Sequence, residues 1–203
     1  MKTILRRTLV GIMVAVAVAF GAPQTQASAA TRTTERFATA VWTLTDGCIE
    51  TQIVVYSSQS LSGGGAGAPE NFFYLSQHQT CDDPNVVQPV LTLTGQFTGG
   101  QLLVSGNLRR GRLVATGAVT CSAYVAGACD QDPYNADSVS LNLTWTLTGP
   151  IGTTTSDGVT CRYRYGQATG SILLGDVNLL ADDGGTVLSD PTETDVGLCV
   201  TSQ

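Results

Sequence analysis

The chain has few of the side chains that most enzymes and metal proteins depend on. Its 203 residues include one lysine, Lys2, and one histidine, His78. The six cysteines form no close-set CxxC pair, which excludes the usual structural zinc motifs. No GxSxG sequence marks a serine nucleophile, and no apolar run reaches the roughly 20 residues that span a bilayer. The sequence therefore assigns no catalytic residue.

The N-terminal segment has the layout of an export signal. A short basic stretch precedes the apolar run 9–20, and polar and small residues follow it. This order is typical of a signal peptide. We expect cleavage after Ala29 or Ala30, so that residues 1–29 are removed and residues 30–203 form a single secreted β domain.

The charge balance limits the partners of that domain. After the expected cleavage, seven arginines stand against sixteen acidic residues, a net charge of −9 with no lysine. A negative field of this size repels phosphate backbones and anionic lipids. We expect no nucleic-acid partner and no membrane partner.

All six cysteines follow the expected leader. An even number of cysteines in an exported chain predicts three disulfides, although fifteen pairings are conceivable. Pairing in chain order is favoured, with the short, turn-rich segment CSAYVAGAC supporting the middle bridge most. The predicted pairs are Cys48 with Cys81, Cys121 with Cys129 and Cys161 with Cys199.

Strand patterns dominate the rest of the chain. In residues 138–148, Val, Leu and Trp alternate with Ser, Asn and Thr, which predicts a strand with one buried face. About ten such short segments follow one another, and none has a helical stripe. The predicted fold is all-β, a single antiparallel β-sandwich or barrel of about ten short strands with little or no helix, held by disulfides.

The first two strands allow a register prediction. Asp46-Gly47 is a preferred two-residue hairpin turn, and it would place Thr45 opposite Cys48. The same register puts Ala38, Ala40, Trp42 and Leu44 on one face with Ile49, Ile53 and Val55. The glycine-rich segment that follows, residues 57–70, has no periodicity and is predicted to be a loop.

One acidic segment is a candidate metal site. Four oxygen-bearing side chains occur within eight residues, and hard cations such as calcium bind such groups. The segment lacks the glycine and closing glutamate of an EF-hand loop, so an acidic turn is the alternative. The candidate calcium ligands are Asp130, Asp132, Asn135 and Asp137.

Aromatic residues beside arginines suggest a second candidate site. Exposed aromatic rings are suited to ligand binding, whereas the alternative is burial within strands. The candidate ligand-binding residues are Tyr134, Arg162, Tyr163, Arg164 and Tyr165.

Three sequence features resemble a group of exported proteins, and this resemblance supports export more than any particular function. A tryptophan before Gly47-Cys48, the strand LNLTWTLTGP and a C-terminal cysteine resemble exported, disulfide-containing bacterial β proteins of actinobacterial type, which have no assigned function. The resemblance implies export and a β fold, and it carries over no functional residue. The sequence hypothesis is a secreted, non-catalytic β module that binds an extracellular protein or glycan. The alternative is a secreted hydrolase that uses a carboxylate pair or His78.

Overall fold

The computed structural model describes residues 33–62, 65–80, 88–182 and 185–201, and these residues are almost entirely β-structure. The predicted signal peptide lies outside the described residues. Apart from a 3₁₀ turn at Ala128–Asp130, the described ranges contain no helix. The strands are β1 (Thr33–Asp46), β2 (Ile49–Ser62), β3 (Gly65–Ala66), β4 (Glu70–Gln79), β5 (Gln88–Thr98), β6 (Gln101–Val104), β7 (Arg110–Ala118), β8 (Thr120–Ala123), β9 (Ser138–Ser156), β10 (Val159–Leu174), β11 (Val177–Asn178), β12 (Ala181–Asp182), β13 (Gly185–Thr186) and β14 (Asp195–Thr201). The all-β prediction is confirmed.

Ten of these strands follow one continuous path of antiparallel pairing. The order is β6-β7-β9-β10-β14-β1-β2-β4-β5-β8, with β3 added to β2 and β11 added to β10. Strands β12 and β13 form a separate two-stranded sheet. The C-terminal strand β14 lies between β10 and β1, so the two ends of the described chain meet in the middle of the sheet.

The hydrophobic core covers one face of this sheet, which we call the core face. The strand at residues 138–148 behaves as predicted, because its apolar positions are buried and the threonines between them are exposed. The largest fully buried side chains of the core face are Trp42, Ile53, Phe73, Leu75, Leu91, Leu93, Leu102, Leu113, Leu141, Leu143 and Trp145.

A hydrogen bond across the core ties strands that are not neighbours. The indole Nε1 of Trp145, on β9, donates to the carbonyl oxygen of Thr39, on β1, over 2.7 Å. Burying the ring and satisfying its one polar atom in the same place favours a single packing arrangement.

The predicted register of the first hairpin is wrong by two residues. Asp46 pairs with Ile49 and Trp42 pairs with Ile53, so the turn consists of Gly47 and Cys48. Gly47 has a φ of 53°, whereas Asp46 is not among the residues with positive φ. Glycine at the first turn position adopts a positive φ at no steric cost. A turn centred on Asp46-Gly47 would have required the positive φ from the aspartate instead.

Two further boundaries differ from the prediction. Residues 57–62 are not a loop, because β2 continues through them and pairs with β1 as far as Leu61. Strand β9 does not end at residue 148, where the predicted alternation stops, but runs on through Gly149-Pro150 to Ser156. An irregularity in the pairing of β9 with β10, at Arg164 to Gly166, accommodates the glycine and proline.

Two of the three predicted disulfides lie within the described residues. Cys121 is bonded to Cys129, and Cys161 is bonded to Cys199, both as predicted. The third predicted bridge needs Cys81, which lies outside the described residues, so that pairing stays a prediction. Among the described residues, no helix has the length and hydropathy needed to cross a membrane.

Candidate ligand-binding face

The face of the sheet opposite the core carries a row of aromatic rings, and we call it the outer face. Directly paired residues share a face, so the register defines its rows. One row crosses six strands, from β9 through β10, β14, β1 and β2 to β4. Its members, in that order, are Gly152, Tyr163, Gly197, Phe37, Ser58 and Glu70.

The next row of the outer face adds three more rings and a carboxylate. It starts on β10 and crosses β14, β1 and β2 to β4. Its members are Tyr165, Asp195, Thr39, Tyr56 and Phe72. Tyr74, two residues beyond Phe72 on β4, completes what we call the aromatic face: Phe37, Tyr56, Phe72, Tyr74, Tyr163 and Tyr165.

Glycines fix how two of these rings lie. A β-carbon built on Gly197 would collide with the Phe37 ring, and one built on Gly152 would lie 2.5 Å from two ring carbons of Tyr163. Each ring therefore lies over a paired glycine that has no side chain to push it away. A ring held flat against the sheet in this way keeps its other side available for contact.

The remaining rings pack in pairs. Phe72 and Tyr74 are stacked, with 6.5 Å between ring centroids and 6° between planes. Tyr163 and Tyr165 meet edge to face at 5.4 Å and 76°. Tyr165 is 38 % exposed and the other rings of the aromatic face are half-buried, so the face is a packed surface that still meets solvent.

A chain of polar groups runs through the aromatic face. The Ser58 hydroxyl is hydrogen-bonded to both Glu35 and Tyr56. Because a serine has one proton, it can donate to the carboxylate while it accepts from the phenol. Burial, with the neighbouring Glu70, raises the pKa of Glu35, and burial among carboxylates raises the pKa of Tyr56 above its ordinary range. The phenol therefore stays protonated, and its hydroxyl can donate or accept a hydrogen bond.

Asp195 is the second carboxyl group with a perturbed titration. Burial raises its pKa from 3.8 to about 6, and a hydrogen bond from Thr39 opposes this only in part. Its neighbours across the strands are Tyr165 and Thr39. Asp195 therefore carries a partly desolvated negative charge beside an aromatic ring at neutral pH.

Replacement of Asp195 by asparagine should make the protein more stable at neutral pH. The folded-state pKa of about 6 exceeds the reference value of 3.8, so the folded protein binds more protons between these values. The contribution of Asp195 to the free energy of unfolding must then fall as the pH rises through this window. We expect Asp195→Asn to raise the free energy of unfolding by at most about 3 kcal/mol above pH 6, and to leave it unchanged below pH 3.8. Urea unfolding across the window measures this, and a gain that does not vary with pH would contradict it.

The structure separates the five predicted ligand-binding residues. Tyr163 and Tyr165 belong to the aromatic face, but Arg162 and Arg164 alternate with them and lie on the opposite side with Leu198 and Val196. The predicted cluster is therefore divided by the period of the strand.

The fifth residue of that set, Tyr134, lies elsewhere. It packs against the core, and its hydroxyl accepts a hydrogen bond of 2.6 Å from the Gln77 side chain. Burial raises the pKa of Tyr134. Its position indicates a structural role in covering one end of the core.

Sequence reasoning missed most of the aromatic face and its acidic groups. Four rings lie on β1, β2 and β4, and the carboxylates lie on β1, β4 and β14. The available signal was the second set of alternate positions in the same strands, where aromatic residues occupy the side away from the core. The residues that were missed are Glu35, Phe37, Tyr56, Glu70, Phe72, Tyr74 and Asp195.

The candidate calcium ligands lie in an exposed segment of turns. Asp130, Asp132, Asn135 and Asp137 are all exposed. In the part of the chain that the structure describes, no three His, Cys, Asp or Glu side chains are grouped as a metal site requires. The calcium site stays a prediction.

His78 lies at the far end of the outer face. It pairs with Glu50 across β2 and β4, and its Nδ1 atom is buried without a hydrogen-bond partner among the residues that the structure describes. It lies four positions beyond Tyr74, the nearest ring of the aromatic face, which is about 13 Å along the strand. His78 therefore belongs to a different part of the surface from the aromatic face.

The described surface thus offers one concentrated set of chemical groups, the aromatic face with Glu35, Glu70 and Asp195. Its rings provide stacking surfaces, and its carboxyl, hydroxyl and phenol groups provide hydrogen-bond donors and acceptors. Comparisons with protein-family models, curated proteins and solved structures gave no significant match.

Proposed function

We propose that this protein is an exported, non-catalytic β domain that binds a glycan through the aromatic face. The observation that carries the proposal is the row in which Tyr163 and Phe37 lie over glycines on the same face of the sheet. Sugar rings stack on flat aromatic surfaces through their C–H groups, and their hydroxyls need partners nearby. Glu35, Ser58 and Glu70 supply such partners within two rows of the rings.

The spacing of the two rings supports a chain ligand. Tyr163 lies on β10 and Phe37 on β1, with β14 between them. Neighbouring strands are about 4.8 Å apart, so the two positions are separated by about 10 Å. This separation is close to the length of a disaccharide unit, which suits an oligosaccharide laid across the strands.

The proposal includes export and a closed sheet. Disulfides persist in oxidising compartments, which is consistent with a secreted domain. Strands β7 and β8 are separated only by Val119, yet β7 pairs with β9 near one end of the strand order and β8 pairs with β5 at the other end. Because the continuous segment of β7 and β8 pairs near both ends of the strand order, it supports a barrel rather than a sandwich.

Glycan binding can be tested with a panel of soluble oligosaccharides and calorimetry. We expect Tyr163→Ala to weaken binding about tenfold or more, because the ring supplies a central stacking surface. Tyr124→Ala is the matched control, since Tyr124 is 62 % exposed but lies after β8, away from the aromatic face. Equal losses in both variants, or no binding to any oligosaccharide, would refute the proposal.

A hydrolase is the second candidate, and the carboxyl groups favour it. Glu35 and Asp195 both have a raised pKa on the same face, and a glycosidase needs one carboxyl group that stays protonated near neutral pH. Turnover of a glycoside or ester panel that disappears in Asp195→Asn would establish this activity. Turnover that disappears in His78→Ala instead would place the chemistry at the other end of the outer face.

A further inference from the structure

The charged side chains in the rows of Phe37 and Tyr165, and in the neighbouring row of Glu35, are all acidic. Glu35 lies two residues before Phe37 on β1, Glu70 is in the row of Phe37, and Asp195 is in the row of Tyr165. Burial raises the pKa of Glu35, the Ser58 hydroxyl lowers it and the Glu70 charge raises it, and no cation is among these causes. Asp195 is influenced by burial and by Thr39 alone.

The nearest arginines do not neutralise these carboxylates, because they lie on the other side of the sheet. Arg36 and Arg162 both pair with Leu198, and Arg164 pairs with Val196. Arg36 also donates to the side chain of Gln59 over 2.7 Å. The alternation of the strands therefore places the carboxylates and the rings on one side and these three guanidinium groups on the other.

We propose that the ligand of the aromatic face is a glycan whose sugars carry free amino groups. This inference rests on the proposed function and names its ligand class. An ammonium group is attracted to the face of an aromatic ring and to a carboxylate, and the aromatic face offers both side by side. A uronic acid or a phosphorylated glycan would meet three like charges.

The distribution of the carboxylates favours a polymer over a single cation. Asp195 lies on β14 and Glu70 on β4, three strands away, which is about 14 Å. Within the described residues no three acidic, histidine or cysteine side chains converge on one point as a metal requires. Amino groups repeated along a sugar chain match separated carboxylates.

The test compares two oligosaccharides of equal length, a glucosamine oligomer and its N-acetylated counterpart, near neutral pH. Calorimetry should show binding of the free-amine oligomer that is tighter by about tenfold or more, because acetylation removes the charge and the cation–π contact. Glu70→Gln and Glu35→Gln should each reduce that preference several-fold. Asp176→Asn, a change of equal charge at an exposed turn beyond β10, should leave it unchanged.

The outcomes separate this inference from the proposed function. Equal binding of both oligomers, lost in Tyr163→Ala, would overturn the inference and leave glycan binding standing. Tighter binding of the acetylated oligomer would also overturn it. Failure of the native protein to bind either oligomer or any other glycan would refute both. Circular dichroism of each variant verifies that a loss of binding reflects the site and not the fold.

Discussion

Replacing Trp145 by alanine should lower the free energy of unfolding by about 3 to 5 kcal/mol. The side chain is fully buried, and its removal leaves a large cavity on the core face of β9. It also leaves the carbonyl oxygen of Thr39 without the donor that reaches it from the opposite side of the core. The loss should therefore fall near the upper end of that range. Urea unfolding followed by fluorescence or circular dichroism gives the value.

A second tryptophan supplies the control for the hydrogen bond. Trp42 is also fully buried, but its Nε1 has no hydrogen-bond partner in the described part of the protein. Trp145→Phe removes ring volume and a hydrogen bond, whereas Trp42→Phe removes ring volume alone. We expect Trp145→Phe to cost about 1 kcal/mol more than Trp42→Phe. An equal cost would mean that the indole hydrogen bond contributes nothing. A Trp145→Ala variant that unfolds at the same urea concentration as the native protein would contradict the expected loss from burial.

On the first strand and on the strand at residues 138–148, the sequence was sufficient to predict which residues face the core, whereas on β4 it did not decide between the two faces. On β1, the buried side chains Ala38, Ala40 and Trp42 are those expected, although the register of the hairpin is wrong by two residues. A shift of two residues exchanges pairing partners but leaves every side chain on its own side. The prediction of which side chains are buried is therefore unaffected by a two-residue error in the turn. The prediction of which residues pair across the strands is not.

Buried polar positions were beyond what hydrophobic periodicity can detect. Ser57 and Asn71 are fully or almost fully buried, and the serine hydroxyl donates to the asparagine Oδ1 over 2.8 Å. The Asn71 amide in turn donates to the carbonyl of Gly99 over 2.9 Å. Such side chains can be buried because their polar atoms are satisfied, and their partners are distant in sequence. The segment after residue 57 was therefore mistaken for a loop.

The aromatic face depends on strand order, which local sequence does not contain. Tyr163 and Tyr165 could be recognised as neighbours on one strand. Phe37 lies near them only because β14 pairs with both β10 and β1. That arrangement joins residues more than a hundred positions apart in the chain. Arg162 and Arg164 are adjacent to Tyr163 and Tyr165 in the sequence, but the structure separates them, because adjacent residues of a strand point to opposite sides.

The disulfide that joins β10 to β14 should contribute more to the free energy of unfolding than the other described disulfide. Cys161 and Cys199 are 38 residues apart, so replacing both by alanine should cost about 4 kcal/mol in loop entropy. Cys121 and Cys129 are 8 residues apart, and the same replacement there should cost about 2.5 kcal/mol. Double replacement leaves no unpaired thiol, so urea unfolding compares the two bridges directly. Because Cys199 pairs with Glu35 on the outer face, loss of this bridge should also weaken ligand binding, whereas loss of the other should not. Equal losses of stability, or the reverse order, would show that strand pairing with β1 already holds β14 in place without the disulfide.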